Sequence, residues 1–174
     1  MFTPAEIEPV FYKAMVAGYA SDVKPTTIAE LPNSNVIVFE EGFWKVVDIW
    51  FTPPGTPNSF GNTIIYGKDV AVWTMHYWGE YPKNDVLCVL KDVLLNEYKL
   101  RALEIKKSNQ VFNGCRGPRV HNLDGAFKPY CYINMLCPNS SFANFSGREE
   151  IYSDKYTVIN PRLLGWHEYH GFML

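Results

Sequence analysis

The feature that most constrains the fold of this chain is a hairpin-like segment that occurs twice. The first copy runs from a predicted turn at Ser59–Gly61, through an apolar run and a polar break, to Gly79. The second copy runs from a predicted turn at Phe145–Gly147 to Gly171. When the glycines are aligned, the superposed pairs are Ile65 with Ile151, Tyr66 with Tyr152, and Tyr77 with Tyr169. Two copies of one β-hairpin unit predict a sheet built by duplication, with a groove or seam between the halves.

The rest of the chain adds two helices and further strands to these hairpins. Apolar residues recur at helical spacing over Pro4–Tyr19, where Thr3 is a candidate N-cap, and over Asn84–Lys106. Alternating or β-branched stretches predict further strands at Val36–Phe39, Phe43–Phe51 and Tyr130–Leu136. Three prolines exclude residues 52–58 from a central strand. Residues 21–35 and 108–124 are polar and turn-forming, which predicts loops.

These patterns predict an α+β fold in a single domain spanning residues 1–174. The expected architecture is a curved, mostly antiparallel sheet of about seven strands, with two α-helices packed on one face. The two halves of the repeat are expected at 36–79 and 127–174, joined by the helix 84–106 and the loop 108–124.

Composition excludes several classes of function. The net charge is -2, so the chain lacks the basic field that drives binding to nucleic acids. No apolar run approaches the ~20 residues that span a membrane, and the first residues do not resemble a signal peptide, so we expect a cytoplasmic protein. The four cysteines lack C-x-x-C spacing and are expected to be reduced and mostly buried. We expect no cofactor.

Four motifs occur in an order and spacing that resemble a known family. They are Phe11-x-x-Ala14-x-x-x-Gly18-Tyr19-Ala20, Val72–Gly79, Arg116-Gly117-Pro118, and Phe145-x-Gly147-x-Glu149-x-Ile151 with Tyr169-His170-Gly171. Together they resemble a bacterial family of unknown function, domain of unknown function 5680, which occurs alone or behind helix-turn-helix domains. The resemblance implies a sensor-type domain. The chain departs from the family pattern at Thr63, where a second glutamate is usual, and in a longer second hairpin.

An aromatic face of the sheet is the first candidate site. Alternation places His76 and Trp78 on one face of their strand, and the repeat brings Glu168 and His170 near them. Aromatic rings with a few polar groups are typical of a small-molecule pocket. The predicted lining is Trp44, Trp50, His76, Trp78, Arg116, Glu168 and His170. The alternative is that the aromatic side chains are core and the histidines lie on a solvated face.

A pair of arginines is the second candidate. Arg116 and Arg119 flank a rigid Gly-Pro turn and could bind a carboxylate or phosphate on a ligand. The alternative is an internal salt bridge between Arg116 and Glu149, which would organise the fold rather than a reaction.

Four further hypotheses complete the predictions. A hydrolase could use His76 or His170 as general base with a glutamate orienting it, and its mark would be a histidine of shifted pKa inside a closed pocket. A homodimer could instead bury the aromatic face. A zinc site is disfavoured because His167 and His170 should point to opposite faces, and the spacing of Cys115 and His121 matches no protease signature.

Overall fold

The protein has an α+β fold in which one open antiparallel sheet is covered by two helices, as the sequence predicts. The structure is a computed structural model. The residues that it describes are 1–19, 23–82, 84–104, 112, 114–118, 120–122, 130–153 and 161–174.

Nine strands lie within the described residues. They are β1 (Thr26–Ile28), β2 (Leu31–Glu41), β3 (Trp44–Phe51), β4 (Asn58–Gly67), β5 (Val70–Glu80), β6 (Val120–Asn122), β7 (Tyr130–Leu136), β8 (Asn144–Ser153) and β9 (Leu163–Met173). The helices are α1 (Pro4–Tyr19) and α2 (Asn84–Glu104). The strand count exceeds the expected seven mainly because of the three-residue strands β1 and β6, which are too short to give a periodic pattern.

The order of the strands explains how the two predicted hairpins meet. The order across the sheet is β1-β2-β3-β4-β5-β9-β8-β7-β6. The chain therefore crosses the first half of the sheet in sequence, passes through α2 to the far edge, and returns inward to β9. Strands β5 and β9 pair antiparallel at the centre, with Tyr77 directly opposite Tyr169. The predicted seam lies at this pairing.

The α1 helix begins where its capping residues predict. The Thr3 amide and hydroxyl both donate to the Glu6 carboxylate, at 2.7 and 2.8 Å. The bond from the Glu6 side chain to the Thr3 backbone amide is one half of a capping box, and Pro4 follows at the first helical position, where no amide donor is needed. The predicted bounds of α1 are confirmed, and α2 begins at Asn84 as expected; residues 105 and 106 lie outside the described part.

Both helices pack on the same face of the sheet. The core joins Phe11 and Leu94 of the helices to Trp73 and Ile151 of the strands. The indole of Trp73 stacks on Phe142 at 5.0 Å between ring centroids and donates its Nε1–H to the Phe142 carbonyl. This aromatic core fixes the distance between helices and sheet.

Four stretches that were predicted to be loops or turns contain strand residues. Part of the expected loop 21–35 forms β1 and the start of β2, and β6 lies within the expected loop 108–124. The expected turns at Ser59–Gly61 and Phe145–Gly147 lie inside β4 and β8. A glycine interrupts the apolar pattern of each strand, but it does not end the strand.

Each of these glycines makes room for a tyrosine ring. Gly61 lies opposite Tyr77, and Gly147 lies opposite Tyr169. A Cβ atom on Gly61 would lie 2.5 Å from the Tyr77 ring, and the same contact at Gly147 would be with Tyr169. An aromatic ring across a strand glycine restores the packing that glycine lacks. The duplication itself remains a prediction.

Candidate functional site

A cavity of about 400 Å³ lies between the two helices and the first half of the sheet. Its walls are largely aromatic and aliphatic. The larger apolar and aromatic side chains that line it include Met15, Trp50, Met75, Tyr77, Tyr81 and Tyr98. The polar side chains that line it include Asp48, Ser59, Thr63, Lys91, Arg116 and His167.

Strand pairing places four residues in one row beside this cavity. Ser59 on β4 lies opposite Gly79 on β5, which lies opposite His167 on β9. Glu149 on β8 lies opposite His167 on its other side. Because directly opposite residues of paired strands share a face of the sheet, the side chains of this row all point toward the helices.

The side chains of this row form a continuous hydrogen-bonded chain. His167 Nε2 lies 3.0 Å from Ser59 Oγ, and His167 Nδ1 lies 3.1 Å from Glu149 Oε1. Gly79 stands between Ser59 and His167 and has no side chain to separate them. Nδ1 also lies 3.4 Å from Arg116 Nη2, which can only donate, but its contact with the carboxylate oxygen is shorter. A carboxylate only accepts hydrogen bonds, so the shorter contact favours a proton on Nδ1 and leaves Nε2 to accept one from the serine hydroxyl.

Glu149 is fully buried and ionised, with a partner at every side. Arg116 Nη2 lies 2.5 Å from Oε1, and the hydroxyl of Tyr132 donates to Oε2 at 2.7 Å. Burial opposes ionisation, but the charge of Arg116 and the bond from His167 outweigh it and lower the pKa of Glu149 to about 2. The predicted alternative for Arg116, a salt bridge to Glu149, is therefore present.

His167 is neutral at neutral pH in this setting. Burial is the main cause that lowers its pKa from 6.5, and the nearby charge of Arg116 acts in the same direction. Glu149 opposes the shift without cancelling it. A buried neutral histidine whose Nε2 lone pair faces the serine hydroxyl is the form that can accept a proton from it.

The segment 114–118 brings Arg116 to this row. The Gly114 carbonyl accepts a hydrogen bond from Tyr12 of α1 at 3.1 Å, and the Gly117 amide donates to Tyr132 at 3.0 Å. Asn134 donates to the Gly117 carbonyl at 2.8 Å. Gly114 has a φ of 96°, a conformation that glycine adopts most easily. The segment is thus held at both ends by the helix and by β7.

A second polar group, Asp48, lies farther along the same cavity. Its Oδ1 accepts hydrogen bonds from Thr63 at 2.8 Å and from Tyr77 at 3.0 Å. Burial raises the pKa of Asp48 above its usual value, and these two bonds reduce the shift. Asp48 is therefore a carboxyl group whose charged form is disfavoured by its surroundings.

The predicted site residues divide between the two faces of the sheet. Trp50 and Arg116 line the cavity, and Glu149 lies directly behind His167. Trp44 is on the helix-covered face too, but it packs against Phe2 at 4.6 Å and does not line the cavity. Arg119 lies outside the described residues.

The other predicted residues come together on the open face. His76 lies opposite His170, and Trp78 lies opposite Glu168, so the juxtaposition that the repeat predicts is present. His76 and His170 are exposed, and Arg148 donates to Glu168 at 2.8 Å. These residues do not line the cavity. The exposure of His76 and His170 agrees with the alternative in which the histidines lie on a solvated face.

The remaining candidates can be placed from burial and geometry. Cys115 is fully buried, and burial raises the pKa of its thiol well above the usual value, so it is not an activated nucleophile. Cys131 is also buried, whereas Cys88 and Cys137 are exposed, so only half of the thiols are buried. Within the described residues no three His, Cys, Asp or Glu side chains are arranged to hold a metal ion.

The residues of the cavity that the sequence analysis missed are mainly Ser59, Asp48 and His167. Ser59 was read as part of a turn, and His167 was considered only as a metal ligand. The sequence carried one signal for this row, which was the alignment of Thr63 with Glu149 in the repeat. Aligned residues are expected on the same face of the sheet, so the alignment places Glu149 and the residues opposite it on the helix-covered face.

Comparisons with known proteins do not identify a function for this chain. No family model, curated protein or solved structure matches this chain. The resemblance to the bacterial family therefore remains a prediction. Neither α1 nor α2, as described, is long and apolar enough to cross a membrane.

Proposed function

We propose that this protein binds a small molecule in the cavity between its helices and its sheet. The observation that carries the proposal is the lining of the cavity: mostly apolar and aromatic walls around about 400 Å³, with a few polar groups. Small-molecule sites typically have volumes of about 300–1,000 Å³ and this mixture of side chains. The proposed site is on the helix-covered face, whereas the sequence analysis favoured the open face.

The charges around the cavity favour a ligand that donates hydrogen bonds. Arg116 is neutralised by Glu149 at 2.5 Å, so it offers little attraction to an anion. The hydrogen bonds from Thr63 and Tyr77 both reach Asp48 Oδ1, so Oδ2 is the oxygen that a donor on the ligand would approach. An amine, amide or hydroxyl on a flat or aliphatic body fits these conditions.

A sensor-type role follows from the resemblance described above. Members of that family occur behind helix-turn-helix domains, and a small-molecule cavity is what such a regulator requires. A cytoplasmic location belongs to the same proposal.

The test is a thermal-shift screen with amines, amino acids, nucleosides and aromatic acids. A ligand that binds only the folded state at a hundredfold excess over its Kd adds about 2.7 kcal/mol of stability. We expect Asp48→Asn and Trp50→Phe to weaken binding of any hit, and Trp78→Phe on the open face to leave it unchanged. Loss of binding in Trp78→Phe alone would move the site to the open face and contradict the proposal.

Self-association is a second candidate function. Phe51, Phe60 and Trp78 form an aromatic row on the open face, in which Phe60 is 49% and Trp78 is 43% exposed. Large exposed apolar groups in one patch are typical of interaction surfaces, and a second copy of this chain would cover them. Sedimentation across a hundredfold range of concentration tests this, with Trp78→Asp expected to reduce the mass to that of a monomer.

A further inference from the structure

We propose that Ser59, His167 and Glu149 form a nucleophilic triad that hydrolyses a small carboxylic ester bound in the cavity. This inference rests on the proposed function, because the substrate must enter the same cavity. It adds a chemical step and places that step at one named atom, Ser59 Oγ.

The geometry of the row supports the proposal. A nucleophile–base contact at 3.0 Å and a base–carboxylate contact at 3.1 Å match the distances that activate serine in unrelated folds. Such triads are recognised by geometry and roles rather than by the order of residues in the chain. Here β4, β9 and β8 supply one residue each, so the arrangement is held by strand pairing and not by a mobile loop.

The supporting groups hold His167 in the required tautomer. Glu149 is fixed by Arg116 and Tyr132 and accepts the Nδ1 proton, so Nε2 faces Ser59 as an acceptor. His167 is packed edge-on against Tyr81, with 4.6 Å between ring centroids. Glu149 is therefore a positioning residue, whereas Ser59 and His167 would touch the reacting atoms.

Ser59 and Asp48 are also placed so that one substrate could contact both. Ser59 and His167 line the cavity, and the triad is thus in contact with the space where a ligand would bind. Ser59 and Thr63 are four residues apart on β4, which is roughly 13 Å along a strand. An ester whose other end carries a hydrogen-bond donor for Asp48, beside Thr63, would span this distance.

The proposed step balances in protons and bonds. Ser59 Oγ bonds to the acyl carbon and gives its proton to His167 Nε2, which passes that proton to the leaving alcohol as the ester C–O bond breaks. Water then attacks the acyl-serine and gives its proton to Nε2. The carboxylic acid leaves as Ser59 recovers the proton.

The experiment is labelling with a short-chain alkyl fluorophosphonate, followed by intact-mass and peptide mass spectrometry. In this reaction Ser59 Oγ bonds to phosphorus and fluoride leaves. We expect one adduct per chain at Ser59, none in Ser59→Ala, and a loss of rate of at least about 100-fold in His167→Asn. Ser146→Ala is the matched control and should leave labelling unchanged. Ser146 is on β8 and lies opposite His170 of β9 on the open face of the sheet.

A second readout separates a positioning role for Glu149 from a structural one. Glu149 raises the proton affinity of His167, so its removal should move the acid limb of the labelling rate to lower pH. We expect this shift in Glu149→Gln, measured where circular dichroism shows a folded protein, and no shift in Glu150→Gln.

The outcomes distinguish this proposal from the proposed function. Absence of an adduct in the unaltered protein, or an adduct that persists in Ser59→Ala, would overturn the triad. A p-nitrophenyl ester that quenches Trp50 fluorescence without being cleaved would leave the binding proposal intact and refute the catalytic one. If that ester fails to bind and the ligand screen also gives no hit, the binding proposal fails independently.

Discussion

Ser59 and His167 are hydrogen-bonded across a strand that lies between them. Their atoms come within 3.0 Å because the intervening residue of β5 is Gly79. The contact is therefore set by the absence of one side chain as much as by the presence of two.

Gly79→Ala should destabilise the protein strongly. A Cβ atom at this position would lie 1.9 Å from the Trp166 carbonyl oxygen and 2.5 Å from the His167 ring. Backbone atoms cannot move away as a flexible side chain would, so we expect a loss of about 3 kcal/mol or more in the free energy of unfolding. Urea denaturation measures it, with Ser59→Ala as a control close to the unaltered protein. Near-native stability of Gly79→Ala would contradict the close approach of β5 and β9.

Glu149→Gln should cost about 3–5 kcal/mol of stability at neutral pH, because it leaves the buried charge of Arg116 uncompensated. The neighbouring Glu150→Gln is the control: Glu150 pairs with the partly exposed Arg148 at 2.7 Å, and its loss should cost about 1 kcal/mol or less. The folded pKa of Glu149 is about 2 and its ordinary value is 4.5. Its contribution is present above about pH 4.5 and is lost as the pH falls toward 2, so the difference between variant and parent should shrink there. A pH-independent difference would disagree with this assignment.

Acidification below pH 6.5 should destabilise the protein through His167. Its pKa is lowered in the folded state from 6.5, so below this pH the unfolded chain binds a proton that the native state resists. Urea midpoints should fall between pH 7 and pH 5 in the unaltered protein and fall less in His167→Asn. His170 is exposed, so His170→Asn should retain the full pH dependence of the urea midpoint. If the midpoint falls equally with pH in all three proteins, a group other than His167 causes the effect.

Asp48→Asn should raise the thermal midpoint while it weakens ligand binding. Burial raises the pKa of Asp48, so its charged form is disfavoured in the folded protein at neutral pH, and a neutral amide removes that cost. The amide oxygen can still accept from Thr63 and Tyr77. Differential scanning calorimetry at pH 7 measures the midpoint, and a lower midpoint in the variant would indicate that the charge is stabilised by groups beyond those described.

Two of the four thiols should react with Ellman's reagent in the native protein. Cys88 and Cys137 are exposed, whereas Cys115 and Cys131 are buried. Burial also keeps the Cys115 thiol protonated at neutral pH. Peptide mapping after brief labelling should find Cys88 and Cys137 modified, and the other two only in urea. Rapid native labelling of Cys115 would mean that segment 114–118 opens.

Much of the fold could be predicted from sequence, because its helices and long strands carry strong periodicity. The candidate N-cap Thr3 located the start of α1, and alternation along the two repeated strands brought His76 and Trp78 near Glu168 and His170, as the pairing of β5 with β9 shows. Ser59 could not be assigned because a serine two residues before a glycine resembles a turn until its partner strand is known. Gly61 continues the strand because the Tyr77 ring covers it, and that contact depends on the pairing of β4 with β5.

The site was harder to predict because it depends on pairing between distant strands. The sequence analysis favoured His170 over His167, and only the packing of the helices on one face distinguishes the buried His167 from the exposed His170. The salt bridge between Arg116 and Glu149 was one of two alternatives, and the sequence could not choose between it and an arginine pair open to a ligand. Asp48 gave no signal, because one acidic residue in an otherwise apolar strand is usually exposed.

The position of β9 beside β5 has a consequence for how the protein is assembled. Ser59 is in the first half of the chain, whereas His167 and Glu149 are in the second, and the two groups meet only when the central strands pair. The hairpins on either side can form from local contacts, but this pairing joins segments separated by α2 and three strands, which makes it a slow, non-local event. Neither half of the chain contains the hydrogen-bonded chain by itself, so two fragments divided after α2 would create it only by reassociating.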